Sequence, residues 1–376
     1  MKKYFVFIIS LLMCILIPTQ IFAEEKKEIK VKSSILMCMD NKEVLVEDNA
    51  YEHLSPASVT KVMSVLLIME AIDSGKIKLD DMVAATENAV SKGGSQIWLE
   101  VGEQMSVNDL LKAIIIASAN DACTLLGEYI AGSDTAFVAM MNDKVKELGL
   151  ENSNFENCTG LDDNITNHYS CAYDLAVISS EVMKYDLVKE YSTVWLDSLR
   201  GGKTELNNTN KLINKYNGIT GLKTGTTSNA GFCLSATAER EGMQLVAVVL
   251  GADTSDDRFN KSRELLDYGF ANYKICEIEL DENSIQNVKV KNGTVKSITP
   301  ISSGTGSILV SKNSSDFEYD YKLKEEVSAP IKKGDELGQV IVLSNNEQVA
   351  SISLISDSDI EKITFSYVLF NLVKFL

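Results

Sequence analysis

The stretch Ser55–Ile72, SPASVTKVMSVLLIMEAI, decides the fold. From Val62 to Ile72 only Ser64 and Glu70 are polar, so a helix built from it is apolar on every face. Helices of that kind lie inside a core, and this run is shorter than the about 20 apolar residues that span a bilayer. Pro56 is a start signal, so the helix is expected to begin near Ser58, at the centre of a globular domain. An ammonium group at Lys61, one turn into such a helix, needs a reason. Residues three apart share a helix face, which brings Ser58 and Lys61 within hydrogen-bond reach. Apolar surroundings disfavour the charged lysine, and a neutral amine can take the serine proton, which pairs a nucleophile with its base.

On the N-terminal side, SSILMCMDNKEVLVED (33–48) reads as two strands about a turn near Asp40 and Asn41. On the other side a helix-rich stretch runs from about Val107 to Lys184, with Ser106 and Asp109 as a capping pair and Gly149 as a helix stop. KTGTTSNAGFCLSATAEREGMQLVAVVLGA (223–252) follows as three β-type runs, the EREG turn joining the second and third, and RFNKSRELLDYGFANY (258–273) returns to helix. Strands at both ends of a helical middle predict the α+β class, an antiparallel sheet with helices packed on it and not a βαβ array. From Cys276 short alternating runs broken by Gly and Asn predict a small all-β domain to about Ile355.

The two ends read differently. MKKYFVFIISLLMCILIPTQIFA (1–23) has two lysines, an apolar run, the Pro18 break and a small residue at its end, the pattern of a secretory signal. DIEKITFSYVLFNLVKFL (359–376) is rich in apolar residues, would reach about 27 Å as a helix, and does not gather its polar residues on one face. It is expected to be a short membrane-contacting anchor, the competing reading being a helix docked on its own protein. The expected division is 1–23 signal, 24–274 catalytic domain, 275–355 β-rich domain and 356–376 anchoring segment.

The chain has 376 residues and a net charge of −17, which argues against nucleic acid as a partner, because phosphate backbones would be repelled. Six cysteines follow the signal, with no CxxC pair and no zinc spacing. Buried free thiols are expected, Cys158 and Cys171 being the nearest pair for a bridge. Only two histidines exist, His53 and His168, neither in HExxH, and no phosphate-binding or dinucleotide fingerprint occurs.

SxxK alone recurs by chance about once or twice in a chain this long. Here it stands once, as Ser58-Val-Thr-Lys61, and two further motifs follow it in order: SAN at Ser118 and Asn120, in an expected break between helices, and KTG at Lys223, Thr224 and Gly225, opening a strand. SVTK, SAN and KTG, with SANDAC (118–123) and GLKTGTTSNAGFCL (221–234) around them, resemble the low-molecular-mass penicillin-binding proteins, serine-type D-alanyl-D-alanine carboxypeptidases. The resemblance covers nearly the whole chain and implies a β-lactamase/transpeptidase-like catalytic domain.

It also implies roles. Ser58 attacks the carbonyl between two terminal D-alanines, Lys61 accepts its proton, and Ser118 relays a proton to the departing D-alanine. Asn120 holds the substrate amide and orients Lys61. Lys223, Thr224, Gly225 and Thr226 line the pocket for the terminal carboxylate, and the N–H groups of Ser58 and Thr226 form an oxyanion hole. Arg258, downstream of the hairpin, is the further carboxylate-binding cation, unless it pairs with Asp256 or Asp257. The implied substrate is the peptidoglycan stem pentapeptide, β-lactams are inhibitors, and no metal or cofactor is used; the protein is expected to work exported, at the outer face of the cytoplasmic membrane, or secreted.

Thr226 replaces the histidine that often follows KTG in the family, and no ExxLN match supplies a deacylating glutamate, so efficient penicillin hydrolysis is not expected. A β-lactamase or esterase on the same scaffold, or a catalytically idle wall-binding or β-lactam-sensing protein, are the alternatives.

Overall fold

The central run begins with a single 3-10 turn, Ala57–Thr60, and continues as helix α1, Lys61–Asp73, in which every residue from Lys61 to Met69 is buried. These elements come from a computed structural model, which describes residues 29–162, 166–278, 280–303, 307–365 and 367. Contacts divide the chain after Lys30, and the architecture below belongs to the unit that starts at Val31. The expected signal at 1–23 lies outside the described residues.

Strands β1 (Ser33–Cys38), β2 (Val44–Asp48), β3 (Ile219–Thr227), β4 (Gly231–Arg240) and β5 (Met243–Ala252) form one antiparallel sheet in the order β2-β1-β5-β4-β3. Alternate residues of its middle strands enter different cores. Val246, Val248 and Leu250 join Ile35, Met37 and α1, whereas Leu245, Ala247 and Val249 join Leu36, Leu265 and Leu266. Side chains of a strand alternate between faces, so β5 is buried on both and reads as a nearly unbroken apolar run.

The helical middle consists chiefly of α2 (Val107–Ala117), α3 (Asn120–Ala131), α4 (Asp134–Glu147) and α5 (Ala172–Val182), which surround α1. Ser106 Oγ accepts the Asp109 N–H at 3.1 Å, closing the expected cap, and α4 stops before Gly149 at φ 69°. Helix α6 (Ser255–Asn272) covers the other face of the sheet.

Between Glu277 and Lys362 the described residues form β structure apart from loops and one 3-10 turn, as the alternating pattern predicts. Phe317–Leu323, Glu336–Ser344 and Glu347–Ile355 pair antiparallel, around their own apolar cluster of Val340, Val342, Ile352 and Leu354. The expected C-terminal anchor needs correction at its start. Ile360 is buried and bridges Ile331, and Lys362 bridges Gly293, so residues 360–362 edge the β region and do not open a helix. Most of the remainder, 366 and 368–376, lies outside the described residues. Among the described residues no helix is long and apolar enough to cross a membrane.

Cys158 and Cys171 are not bridged, and Cys38, Cys123, Cys233 and Cys276 are free as well. Each of the pair has another neighbour: Cys171 Sγ caps α5 by accepting the Asp174 N–H at 3.3 Å, and the Cys158 carbonyl accepts from Cys123 Sγ at 3.3 Å. All six are buried except Cys276, which is half-buried.

Candidate active site

Ser58 lies in the 3-10 turn that opens α1, half-buried, while Lys61 behind it is fully buried. Ala57 takes the left-handed conformation, φ 48°, and this bend turns the chain into the helix. Two glycines let other segments press on the bend. A Cβ at Gly160 would fall 1.8 Å from the Ala57 carbonyl oxygen, and one at Gly225 would fall 2.7 Å from the Pro56 carbonyl oxygen and 3.0 Å from Ser58 N. The glycine of KTG is thus what allows β3 to reach the backbone of the proposed nucleophile.

Lys61 Nζ donates to Ser58 Oγ at 3.1 Å, to Asn120 Oδ1 at 2.5 Å and to the Thr159 carbonyl at 2.8 Å. Burial lowers its pKa to about 8, against the opposing pull of Cys123, Cys158 and Asp121. Near neutral pH about one molecule in ten then carries the free amine. That amine has two N–H bonds and one lone pair. Asn120 Oδ1 and the Thr159 carbonyl can only accept, so they take both N–H bonds and direct the lone pair at Ser58 Oγ.

Asn120 can present its oxygen because the rest of the amide is committed. Its Nδ2 donates to the Gly93 carbonyl at 2.7 Å, and its own N–H to the Ser95 carbonyl at 2.7 Å. Asp121 stiffens the same loop by accepting the N–H groups of Ile97 and Leu99. Ser118 ends α2 in the left-handed conformation, φ 64° and ψ 27°, so the SAN motif straddles the expected break, with Asn120 opening α3.

Facing this turn, β3 carries Lys223, Thr224 and Thr226. Lys223 is buried and donates to the Thr224 carbonyl at 2.9 Å; burial first, then the charges of Lys61 and Arg258, hold its pKa well below the usual lysine value. A bound carboxylate would reverse that, restoring the cation where it is needed. Thr224 Oγ1 donates to Thr209 Oγ1 at 2.7 Å, and Thr226 is exposed.

Arg258 does not pair with Asp256 or Asp257. Thr254 caps α6 by accepting the Asp257 N–H at 3.1 Å and donates to that carboxylate at 2.7 Å. The guanidinium reaches β3 and β4 instead, donating to the Gly225 carbonyl at 2.8 Å, Thr226 Oγ1 at 3.0 Å and the Cys233 carbonyl at 3.1 Å, beside the rings of Phe232 and Phe259. Burial pushes its pKa down to about 10, so it stays charged at neutral pH, and its buried Nε has no partner among the described residues.

All nine residues singled out by sequence therefore lie on the three segments that converge here, 57–61, 118–120 and 223–226, or on the arginine that abuts the last. Sequence reasoning missed the Thr159 carbonyl, since a backbone atom has no motif, and Thr209. His53 stands apart, exposed, stacked on Tyr169 and bonded to Asn152.

A buried lysine beside a serine, faced by a strand that carries Lys223 and abuts Arg258, is an arrangement suited to a serine hydrolase acting on an anionic substrate. Residues 20–254 match the D-alanyl-D-alanine carboxypeptidase family, peptidase S11, and residues 280–362 match the C-terminal domain of penicillin-binding protein 5. D-alanyl-D-alanine carboxypeptidase DacF of Bacillus subtilis (strain 168) is 42% identical over 341 residues, 89% of this chain and 87% of that protein. The crystal structure of penicillin-binding protein 5 from Haemophilus influenzae superposes with a TM-score of 0.79 at 31% identity, covering 89% of this chain and 98% of the other. Penicillin-binding protein D2 from Listeria monocytogenes, solved in an ampicillin-bound form, superposes with a TM-score of 0.59 at 31% identity, over 64% of this chain and 97% of that one. The chain belongs to the D-alanyl-D-alanine carboxypeptidase family, and it is a serine carboxypeptidase of the penicillin-binding type.

Proposed function

We propose that Ser58 carries the acyl group in removal of the terminal D-alanine from peptidoglycan pentapeptides. Its proton passes to Lys61 Nζ as Oγ bonds to the carbonyl carbon of the penultimate D-alanine. The C–N bond then breaks, and Ser118 conveys the proton to the leaving amine. Water hydrolyses the ester and restores Ser58. The N–H groups of Ser58 and Thr226 hold the oxyanion, Asn120 the substrate amide, and Lys223, Thr224 and Arg258 the free carboxylate. The contact that carries this reading is Lys61 Nζ to Ser58 Oγ at 3.1 Å, with both remaining lysine partners able only to accept. β-Lactams enter the same path, because their amide and carboxylate mimic the D-Ala-D-Ala end.

The reading includes a catalytic domain at 24–274, a β-rich domain at 275–355 that stands on its own apolar clusters, export by the first 23 residues, and membrane attachment through the apolar end after Ile363. Work at the outer face of the membrane follows from the last two. Intact-mass analysis after penicillin treatment tests the chemistry: one adduct is expected, absent in Ser58→Ala. An adduct that persists in the variant would overturn the assignment.

A further inference from the structure

Lys61 is aimed by two acceptors, and one of them, the Thr159 carbonyl, belongs to an irregular loop, residues 155–162. The loop is fixed internally by Asn157, whose Oδ1 accepts the N–H groups of Thr159 at 3.0 Å and Gly160 at 2.7 Å. Asn142 of α4 pins its start, bonding both the N–H and the carbonyl of Phe155 at 2.8 Å. Further along, Ser64 Oγ of α1 donates to the Cys158 carbonyl at 2.6 Å, and Gly160 packs on the Ala57 bend. The side chain that hydrogen-bonds both the loop backbone and the turn carrying Ser58 is His168.

His168 is buried between the two. Its Nδ1 accepts the Glu156 N–H at 3.1 Å, so that nitrogen is unprotonated, and its Nε2–H donates to Thr60 Oγ1 at 2.8 Å. These bonds complete a circuit: Thr60 to the imidazole, to Glu156, along the loop to the Thr159 carbonyl, to Lys61, and back through one peptide unit to Thr60. Only a neutral imidazole offers one donor and one acceptor. Burial supplies that state, holding the His168 pKa down at about 4 although the Glu156 and Asp162 carboxylates raise it, and the ring meets the edge of Phe155 at 5.6 Å between centroids.

The geometry points to His168 as a positioning residue for acylation: by tying Thr60 to Glu156 it holds the Thr159 carbonyl against Lys61, so that the amine's lone pair faces Ser58. This rests on the roles of Ser58 and Lys61 proposed above. His168 itself touches neither substrate nor the reacting atoms. Its removal should therefore lower the rate of acylation while leaving the carboxylate pocket, and hence KM, in place.

The test compares full-length wild type, His168→Gln, His168→Ala and Thr60→Val. Gln keeps an acceptor and a donor on neighbouring atoms, Ala removes both, and Val removes the hydroxyl that the imidazole holds. Rates of acylation by a fluorescent penicillin and of D-alanine release from a D-Ala-D-Ala peptide are normalised to the fraction of titratable active sites and followed against pH. We expect His168→Ala and Thr60→Val to lose about ten- to a hundred-fold in kcat, the scale of an ångström of misplacement, with KM within about twofold. His168→Gln should recover most of that loss. The rising limb of the pH profile should also move to lower pH in His168→Ala and Thr60→Val, because a carbonyl bond to the ammonium favours its charged form and that bond is loosened.

Normal rates per active site in His168→Ala would overturn the inference. So would equal losses in Gln and Ala with an unmoved limb, which is the signature of a purely structural role. In a parallel control, undiminished acylation of Lys61→Ala would instead overturn the assignment of the base, a distinct failure. Should His168→Ala not fold, Thr60→Val and His168→Gln still decide the matter through the limb and the rescue.

Discussion

Substituting Gly225 by alanine probes the closest backbone approach in the site. The new Cβ would stand 2.7 Å from the Pro56 carbonyl oxygen and 3.0 Å from both Ala57 Cβ and Ser58 N, where ordinary contact begins near 3.4 Å. The strand and the turn must therefore part by about 0.7 Å, a distance that matters for positioned reacting groups. Neither side yields easily, since the atoms that clash are mostly backbone and the turn is also pressed by Gly160 from elsewhere. Overpacking of this kind costs about 1–3 kcal/mol, and moving the Thr226 N–H away from the Ser58 N–H should slow acylation about a hundredfold. Second-order acylation by a fluorescent penicillin, with thermal unfolding on the same preparation, reads both effects. Gly93→Ala serves as the control, because a Cβ there meets nothing within 4 Å, and it should acylate within about twofold of wild type. Wild-type acylation and an unchanged melting temperature in Gly225→Ala would refute the steric argument.

Two further outcomes follow from the charges. Lys61 must be neutral to take the proton, and burial lowers its pKa from 10.5 to about 8. The active form is therefore present above that value and lost as pH falls below it. kcat/KM should rise about tenfold per unit on the acid side and level off above about 8; a profile flat from about pH 6 to 8 would contradict it. Arg258→Ala should cost about 30- to 100-fold in kcat/KM for a peptide ending in a free carboxylate, the worth of a charge-assisted hydrogen bond. It should cost far less for the carboxamide analogue. Equal losses on both would mean that Arg258 only braces β3.

The local parts of the site were legible because they repeat at short range. SxxK works through the helical period, which brings residues three apart together whatever the rest of the chain does. The apolar run after it announces its own burial, and the caps at Ser106 and Gly149 act on the nearest backbone groups. Contacts that depend on a distant partner were not legible. The expected anchor was placed from residue 356, ahead of the apolar density after Ser366, yet Ile360 pairs with Ile331, and no local pattern reveals that pairing. Cys158 and Cys171 are buried free thiols, as expected, but the neighbour each meets once folded was not readable from the chain. The aspartates beside Arg258 were its competing partners, but Thr254 takes Asp257 while the guanidinium crosses to β3.

Sequence alone determined the Ser58–Lys61 pairing, the ordered motifs and the α+β class, because each is written in side-chain identity at fixed, short spacing. Tertiary structure alone decided how the Lys61 amine is aimed. The Thr159 carbonyl, the imidazole of His168 and the clearance at Gly225 act through backbone atoms and long-range contact. Every residue owns a carbonyl, so only the fold can select the one that turns a lone pair toward Ser58.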